Sequence, residues 1–516
     1  MKFKQSLCMA FTIWLLLGCS ISSTQIPTEK KTTNTSATQP NVLMILVDDL
    51  KPALGVYGDP IAISPNIDKL AAQGMRFERA YVNQAVCMAS RYNLMLGSRS
   101  TSSGLYNFGV SLRERYPQAL TLPQLFKSAG YHAEAMGKVY HIGHGTIDDT
   151  ASWSRPHRAD KVIEYILPQS TGGTITREEG MFTNASWRDG INNMKRPRGA
   201  AWEAPDVLDE AYADGRIATH AVNRLHELKK SGQKFFMAVG FARPHLPFSA
   251  PKKYWDAYDP AKFAMPQFIN DPKGAPQFAV KRQMEINNFT PVNPKKRIVK
   301  DEALTRNLIH GYYASMSYMD AQLGRVIDAL KVTGLDKNTI VVLWGDHGYH
   351  LGDHGSWTKH SNYEQATHIP LLMVVPGVTE PGSVTKQITE TVDIYPTLAE
   401  LAGISIPKTQ QAIDGTSMLP VLQNANKRLR DHAYHVWRNP RYTGLAIRTE
   451  RYRLVKWLSN KGLEPIIELY DYQQDPLETE NVASKMPQLV QKLEATLAKH
   501  PQHAALFKPK KNKQRQ

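Results

Sequence analysis

The sequence predicts an α/β fold built on a largely parallel sheet, followed by a smaller antiparallel sheet with a helix. Four short apolar runs carry the first part: NVLMILV (41–47), KFFMAVGF (234–241), TIVVLW (339–344) and PLLMVVPG (370–377). They are continuous and rich in β-branched or large apolar residues, as strands covered on both faces are. Amphipathic stretches lie between them. In one, Met316, Met319, Leu323, Val326, Ile327 and Leu330 recur at helical spacing, and Gly334 marks the stop. Buried strands alternating with such helices place a mostly parallel sheet between helical layers. The third observation is a change of character past residue 425. AYHVWR (433–438), LAIRTERYRLVKWL (445–458) and PIIELYDY (465–472) half-alternate as antiparallel strands do, and a helix follows near QLVQKLEATLAK (488–499).

In chain order, residues 1–18 read as a signal peptide: Lys2 and Lys4 precede an apolar run with Phe11, Ile13, Trp14 and Leu15, too short to span a bilayer. Leu16-Leu17-Gly18-Cys19 is similar to a bacterial lipobox, which makes Cys19 the expected lipidation site and the mature N-terminus; an ordinary signal cut nearby is the alternative. Residues 19–40, rich in Ser, Thr, Gln and Lys, form a flexible tether. Residues 41–425 make the large domain, 426–505 a smaller α+β subdomain, and 506–516 a basic tail. No long repeat or low-complexity run interrupts residues 41–500.

The formal net charge is +16, or +14 once Lys2 and Lys4 leave with the signal. That balance suits a polyanion but does not choose among acidic glycan, anionic lipid and nucleic acid. The chain has three cysteines, and Cys8 and Cys19 fall in the export segment, so no internal disulfide framework can be built around Cys87.

Ligands of open α/β sheets gather beyond the carboxyl ends of the strands. The first buried run ends in Asp48-Asp49, the second in Arg243-Pro244-His245 and the third in Asp346-His347. One aspartate after a strand is commonly a cap or a turn residue. Two acidic clusters brought to the same edge repel each other unless a cation sits among them.

At this point the motifs become specific. Cys87-Met88-Ala89-Ser90-Arg91 resembles the sulfatase signature Cys-x-Pro/Ala-x-Arg, with Asp48-Asp49 before it, Gly137-Lys138-x-x-His141-x-Gly143 after it and GDHGYHLGDHG at 345–355. AIDGTSMLPVL (412–422) and ELYDYQQDPLETENVA (468–483) extend the resemblance over the mature chain. RPHLPF (243–248), LYNF (105–108) and WTKHSNYEQA (357–366) look most like the iduronate-2-sulfatase branch.

The resemblance implies an alkaline-phosphatase-like sandwich, with a large mixed sheet flanked by helices, and a formylglycine-dependent sulfatase activity. It implies that a formylglycine-generating maturase oxidises Cys87 to formylglycine (3-oxoalanine). The hydrated aldehyde offers two hydroxyls on one carbon. One attacks sulfur and displaces the sugar alkoxide; the other collapses to the carbonyl and expels sulfate. By match to the family, Asp48, Asp49, Asp346 and His347, with the oxygen at position 87, hold one Ca2+, the ion that mostly oxygen ligands favour. Arg91, Lys138 and Lys359 then surround the sulfate. His245 protonates the leaving alkoxide and His141 acts on the second hydroxyl of the hydrate. Arg243, Tyr349, His350 and Leu351, beside these groups, are the candidate substrate contacts. Ala89 replaces the commoner proline, and Met95-Leu96-Gly97-Ser98 departs from the usual continuation, which leaves the type of maturase open.

The expected substrate is a sulfated oligo- or polysaccharide, attacked at its end and with a 2-O-sulfated uronate as first choice. The expected location is the periplasm or outer membrane, with the membrane reached only through the lipid anchor and no nucleic-acid partner. Two other functions compete. One is a phosphate or phosphonate ester hydrolase of the same fold, although a two-zinc enzyme calls for Ser or Thr at position 87. The other is a non-catalytic glycan-binding lipoprotein, which has no need of a modified Cys87.

Overall fold

A computed structural model describes residues 39–144, 148–183, 195–283, 285–500 and 505–506. The signal at 1–18, Cys19, the tether up to residue 38 and the tail beyond residue 506 lie outside the described residues.

The strands are β1 (Asn41–Val47), β2 (Met75–Tyr81), β3 (His132–Gly137), β4 (Trp202–Glu203), β5 (Phe235–Phe241), β6 (Phe248–Ser249), β7 (Thr339–Gly345), β8 (His368–Val374) and β9 (Ser383–Glu390). Seven of them form one sheet in the order β3-β5-β1-β7-β8-β2-β9, while β4 and β6 pair separately. β3, β5, β1 and β7 are mutually parallel, β8 is antiparallel to both β7 and β2, and β9 is parallel to β2. The sheet is therefore mixed. An antiparallel neighbour can follow without a crossover helix, and the direct return from β7 to β8 leaves residues 346–367 free to form a long loop over the strand ends.

The central strands are buried on both faces because helices cover both. Leu43, Ile45 and Val47 face a core shared with the helices Ala213–Ser231 and Glu302–Val332. Val42, Met44 and Leu46 face the opposite core, shared with the helices Cys87–Leu96, Leu122–Ser128 and Ile394–Leu401. Each such aliphatic side chain contributes about 1.5–3 kcal/mol through burial. The periodic stretch at 316–330 lies in the 31-residue helix Glu302–Val332, and Gly334 follows it at φ 67°.

The second sheet is an antiparallel meander of β10 (His432–Arg438), β11 (Tyr442–Thr449), β12 (Tyr452–Ser459) and β13 (Ile466–Asp471). The helix Pro487–Leu497 places Leu493 and Leu497 against Val436, Ile447, Leu454 and Leu469. Buried charge ties this sheet to the large one. Glu364 pairs with Arg448 at 2.9 Å and with Arg453, and Glu390 at the end of β9 accepts from Tyr434 N–H of β10 at 2.9 Å.

Candidate active site

Parallel register brings the chemistry together. Val47 of β1 lies beside Gly345 of β7 and Phe241 of β5, so the residues after all three strands emerge side by side. The ladder continues one step further: Asp346 N–H donates to Val47 O at 3.0 Å, and Asp48 N–H to Phe241 O at 3.2 Å. Asp49 sits in the left-handed region at φ 58°, and its N–H donates to Asp346 Oδ1 at 3.0 Å. Short polar side chains tolerate that conformation best, and it recurs at functional sites. β3 supplies Lys138, whose N–H donates to Gly240 O at 2.9 Å. That approach requires glycine on both strands, because a Cβ on Gly137 would overlap the Gly240 carbonyl and one on Gly240 would overlap the Lys138 backbone.

Cys87 is the first residue of a wholly buried helix, Cys87–Leu96. Arg91 is one turn further on, on the same face. Its Nε donates to Asp346 Oδ2 at 3.1 Å, its terminal nitrogens reach Asp346 at 3.0 Å and Asp48 at 3.4 Å, and it also donates to the carbonyls of Lys138 and, at 3.1 Å, Val139. Ser90 Oγ donates to Asp346 O at 2.5 Å. The motif thus locks its helix to the strand-end aspartates. Burial pushes the Cys87 thiol well above its ordinary pKa, so the unmodified side chain is a protonated thiol and a poor nucleophile at neutral pH.

Donor atoms of Asp48, Cys87, Asp346 and His347 lie within 4.8 Å of one another, and Asp49 Oδ1 is 3.3 Å from His347 Nδ1. His347 Nδ1 hydrogen-bonds Gly348 O at 3.0 Å, which leaves Nε2, 3.1 Å from Cys87 Sγ, as the nitrogen available to a cation. Burial holds His347 well below the usual histidine pKa, so its imidazole is neutral. Asp48 Oδ1 and Asp49 Oδ1 are buried without a hydrogen-bond partner. Burial, joined by the neighbouring Asp48, pushes the Asp346 carboxyl well up; burial also raises Asp49. At Asp48 the opposing charges of Lys138, His245 and Arg91 outweigh burial and hold the carboxyl well below its ordinary value. Three converging carboxylates, two of them with an oxygen that accepts no hydrogen bond, fit a hard divalent cation. A second group, Asp49, His245 and Glu285, also has metal-ligand spacing. There the Lys359 ammonium already supplies positive charge, at 3.2 Å from Asp49 and 2.7 Å from Glu285.

Cys87 opens onto a cavity of about 250 Å³ whose walls include His141, His245, Lys359, Glu178, Glu285 and Phe182. His245 Nδ1 meets Leu246 O at 2.6 Å and Nε2 meets Glu285 Oε1 at 3.1 Å. An imidazole facing an acceptor at each nitrogen makes both bonds only when both carry protons. His141 Nε2 lies 3.0 Å from His144 Nδ1, and burial, reinforced by Lys138, holds His141 well below its usual pKa; burial likewise brings His144 down to about 4. Burial, with Glu285 nearby, pushes Glu178 up to about 7.

Asp48, Asp49, Cys87, Arg91, Lys138, His141, His245, Asp346, His347 and Lys359 therefore converge as the motifs predict. The four expected substrate contacts do not line this cavity. Arg243 is 4% exposed, and its guanidinium is spent on His245 O at 2.8 Å and Val162 O at 3.3 Å. It braces the loop that carries His245 and is not placed to pair with a sugar carboxylate. Tyr349 and Leu351 pack into the hydrophobic core, and His350 bonds Ser361 Oγ at 3.0 Å. Sequence reading missed Glu178, Glu285, His144 and Phe182. The first, second and last lie on short helical turns between predicted elements, where no strand end points to them. His144, in HIGHG next to His141, was the one with a local signal.

The family model described as Sulfatase matches residues 40–404, and one described as N-sulphoglucosamine sulphohydrolase, C-terminal, matches 352–503. The chain is 33% identical over 427 residues to human (Homo sapiens) iduronate 2-sulfatase, covering 76% of this chain and 74% of that protein. Among solved structures it is similar to BT4656, solved with its substrate D-glucosamine-2-N,6-O-disulfate, at TM-score 0.69 and 21% identity, over 90% of this chain and 99% of that one. It is also similar to a phosphonate monoester hydrolase from Silicibacter pomeroyi, at TM-score 0.68 and 22% identity, over 90% and 95% of the two chains. At those identities the two structures speak for the fold alone. The family match over most of the chain, on a site with every motif residue in register, decides the class: the chain belongs to the sulfatase family and is a sulfuric ester hydrolase.

Proposed function

We propose that the protein is an exported, lipid-anchored glycan sulfatase that removes sulfate from the non-reducing end of an acidic polysaccharide, with a 2-O-sulfated uronate as first choice. The observation that carries the reading is the position of Cys87, buried between the strand-end carboxylates and a cavity walled by His141, His245 and Lys359. Formylglycine made from Cys87 by a maturase would supply, when hydrated, two hydroxyls on one carbon, the nucleophile and its own means of release. Asp48, Asp49, Asp346 and His347 would hold the divalent cation, for which Ca2+ is our choice, and that ion would polarise the sulfate.

The chain's own groups do the rest. Arg91 is locked into the aspartates and fixes the helix that presents position 87. Lys138 and Lys359, the ammonium groups nearest Asp48 and Asp49, offset the negative charge of the arriving sulfate. His245, paired with Glu285, donates the proton that a sugar alkoxide needs to leave. His141, held neutral by burial, accepts a proton from the second hydroxyl.

The uronate preference rests on the 33% identity with iduronate 2-sulfatase and on the basic balance, since Arg243 is committed to backbone carbonyls. Export and anchoring rest on residues 1–19 of the sequence; no helix among the described residues is long and apolar enough to cross a membrane. The test is the rate of sulfate release from a 2-O-sulfated uronate disaccharide and from an aryl sulfate, against hydrolysis of an aryl phosphate and a phosphonate monoester. Faster turnover of the sulfates is expected. Preference for the phosphonate would make this a phosphonate hydrolase on the sulfatase fold, and preference for an uncarboxylated sulfated sugar would remove the uronate.

A further inference from the structure

A second, larger cleft of about 660 Å³ adjoins the cavity at Cys87, and Phe108 and His360 line both. Chain continuity fixes the relation between the two. Cys87 and Lys359 line the first, while Gln84 and Val86, just before Cys87, and His360, just after Lys359, line the second. The far wall comes from the end of β10 and the turn after it, with Trp437, Arg438 and Asn439, and from Lys281. Its volume is that of a small-ligand site.

The chemistry of this wall is one-sided. Lys281 and Arg438 are both half-buried in it, and no carboxylate among the described residues lines it. Neither cation has a carboxylate within ion-pair distance among the described residues. Each lies over an aromatic ring: Lys281 Nζ is 5.7 Å from the centroid of Trp437, and Arg438 Cζ is 4.8 Å from that of Tyr106. Such contacts hold a cation in place without cancelling its charge. Gln84, 1% exposed, donates through Nε2 to Tyr106 O at 2.9 Å, but its Oε1 has no hydrogen-bond partner; nor has Asn439 Nδ2. The cleft thus offers two uncompensated cations, a buried acceptor and a donor. Burial also holds the Lys281 ammonium below its ordinary pKa, a cost that an anion in the cleft would relieve.

We propose that this cleft binds the sugar adjoining the sulfated one in the same glycan, and that Lys281 and Arg438 select a neighbour bearing an anionic substituent, sulfate or carboxylate. The substrate is then at least a disaccharide with charge on its second unit. This rests on the sulfated-glycan reading above, and it assigns Lys281 and Arg438 to specificity and not to the chemical step.

The test uses the full-length, matured protein, with Lys281→Ala and Arg438→Gln variants. Three disaccharides share a 2-O-sulfated uronate at the non-reducing end and differ in the second sugar: N-sulfated glucosamine, a uronate, or N-acetylglucosamine. 4-Nitrophenyl sulfate is the control. Loss of one charge-assisted hydrogen bond corresponds to about a ten- to hundredfold fall in kcat/KM. That fall is expected on the N-sulfated disaccharide, the carboxylated one, or both, according to which anion is read, with little change on the N-acetylated one and none on the aryl sulfate. Unchanged turnover of both charged disaccharides, or equal losses on all four substrates, would overturn the cleft. Calorimetric binding of the same disaccharides without their 2-O-sulfate, to Cys87→Ala protein, separates this from failure of the hydrolase reading. Weaker binding by Arg438→Gln supports the cleft even if the wild-type enzyme releases no sulfate from sugars, and equal binding overturns it whatever the wild-type enzyme hydrolyses.

Discussion

Glu285 has no place in the signature motifs, yet it joins two groups of the proposed chemistry, His245 at 3.1 Å and Lys359 at 2.7 Å. Glu285→Gln keeps the shape and removes the charge. A hydrogen bond to a charged partner is worth about 1.5–3 kcal/mol. The amide can still accept from Lys359, so the loss falls mainly on His245, whose two nitrogens can both donate only while an acceptor stands at each. If the protonated form of His245 is weakened by that amount, protonation of a poor leaving group slows by about ten- to 150-fold, since each 1.4 kcal/mol is a factor of ten. A 4-nitrophenolate leaves without help. The assay is therefore kcat/KM for a sugar sulfate and for 4-nitrophenyl sulfate, wild type against variant. A loss on the sugar sulfate at least tenfold greater than on the aryl sulfate is expected. Equal losses on both would mean that Glu285 serves Lys359 or the fold and does not act through His245.

Further outcomes follow from the same contacts. Arg243→Ala should lower turnover of charged and uncharged substrates alike and cost about 3 kcal/mol in denaturant unfolding, because it leaves the His245 and Val162 carbonyls unpaired in the core; selective loss on carboxylated sugars would restore it as a substrate contact. Asp346→Asn should abolish activity, and chelation should lower the wild-type Tm more than the variant's, because the wild type then keeps three converging carboxylates; equal Tm shifts would remove the cation from this site. Glu364→Gln should cost about 3 kcal/mol by removing the charge shared by Arg448 and the wholly buried Arg453, which keeps only Glu478 at 3.4 Å and Thr367 at 3.1 Å. Although burial raises the Glu364 carboxyl, Arg448 and Arg453 more than offset it and hold the group well below its ordinary value. Its stabilisation is thus present above about pH 4.3 and lost as pH falls toward the folded-state value. Stability measured from pH 6 to 3 should fall more steeply in wild type than in the variant, and parallel curves would refute the assignment.

Much of this was legible in the sequence because the central strands are buried on both faces. β1, β5 and β7 carry apolar residues nearly throughout, and their ends are marked by Asp48-Asp49, His245 and Asp346-His347. β2, β3 and β9 escaped the same reading for identifiable reasons. β2 and β9 alternate with half-exposed or exposed residues such as Arg76, Glu78 and Lys386, and β3, HAEAMG, has no β-branched residue. The reversal of β8 was also invisible, since an apolar run has no direction. At the site, the strand-end carboxylates and the motif cations were found, and Glu285 and the lining of the second cleft were not. Arg243 illustrates why: an arginine two residues before His245 turns its fork to backbone carbonyls. Glu285 reaches the site, and Arg438 the adjoining cleft, from parts of the chain with no motif at all.

Turnover depends on the chemical state of residue 87. The peptide containing Cys87, from protein purified from its native host, should be analysed by mass spectrometry after alkylation and after labelling with a hydrazide. A formylglycine aldehyde at residue 87, captured by the hydrazide, is expected, with activity proportional to its fraction and none in Cys87→Ala. A thiol that alkylates throughout the population, in a preparation that still releases sulfate, would contradict the account.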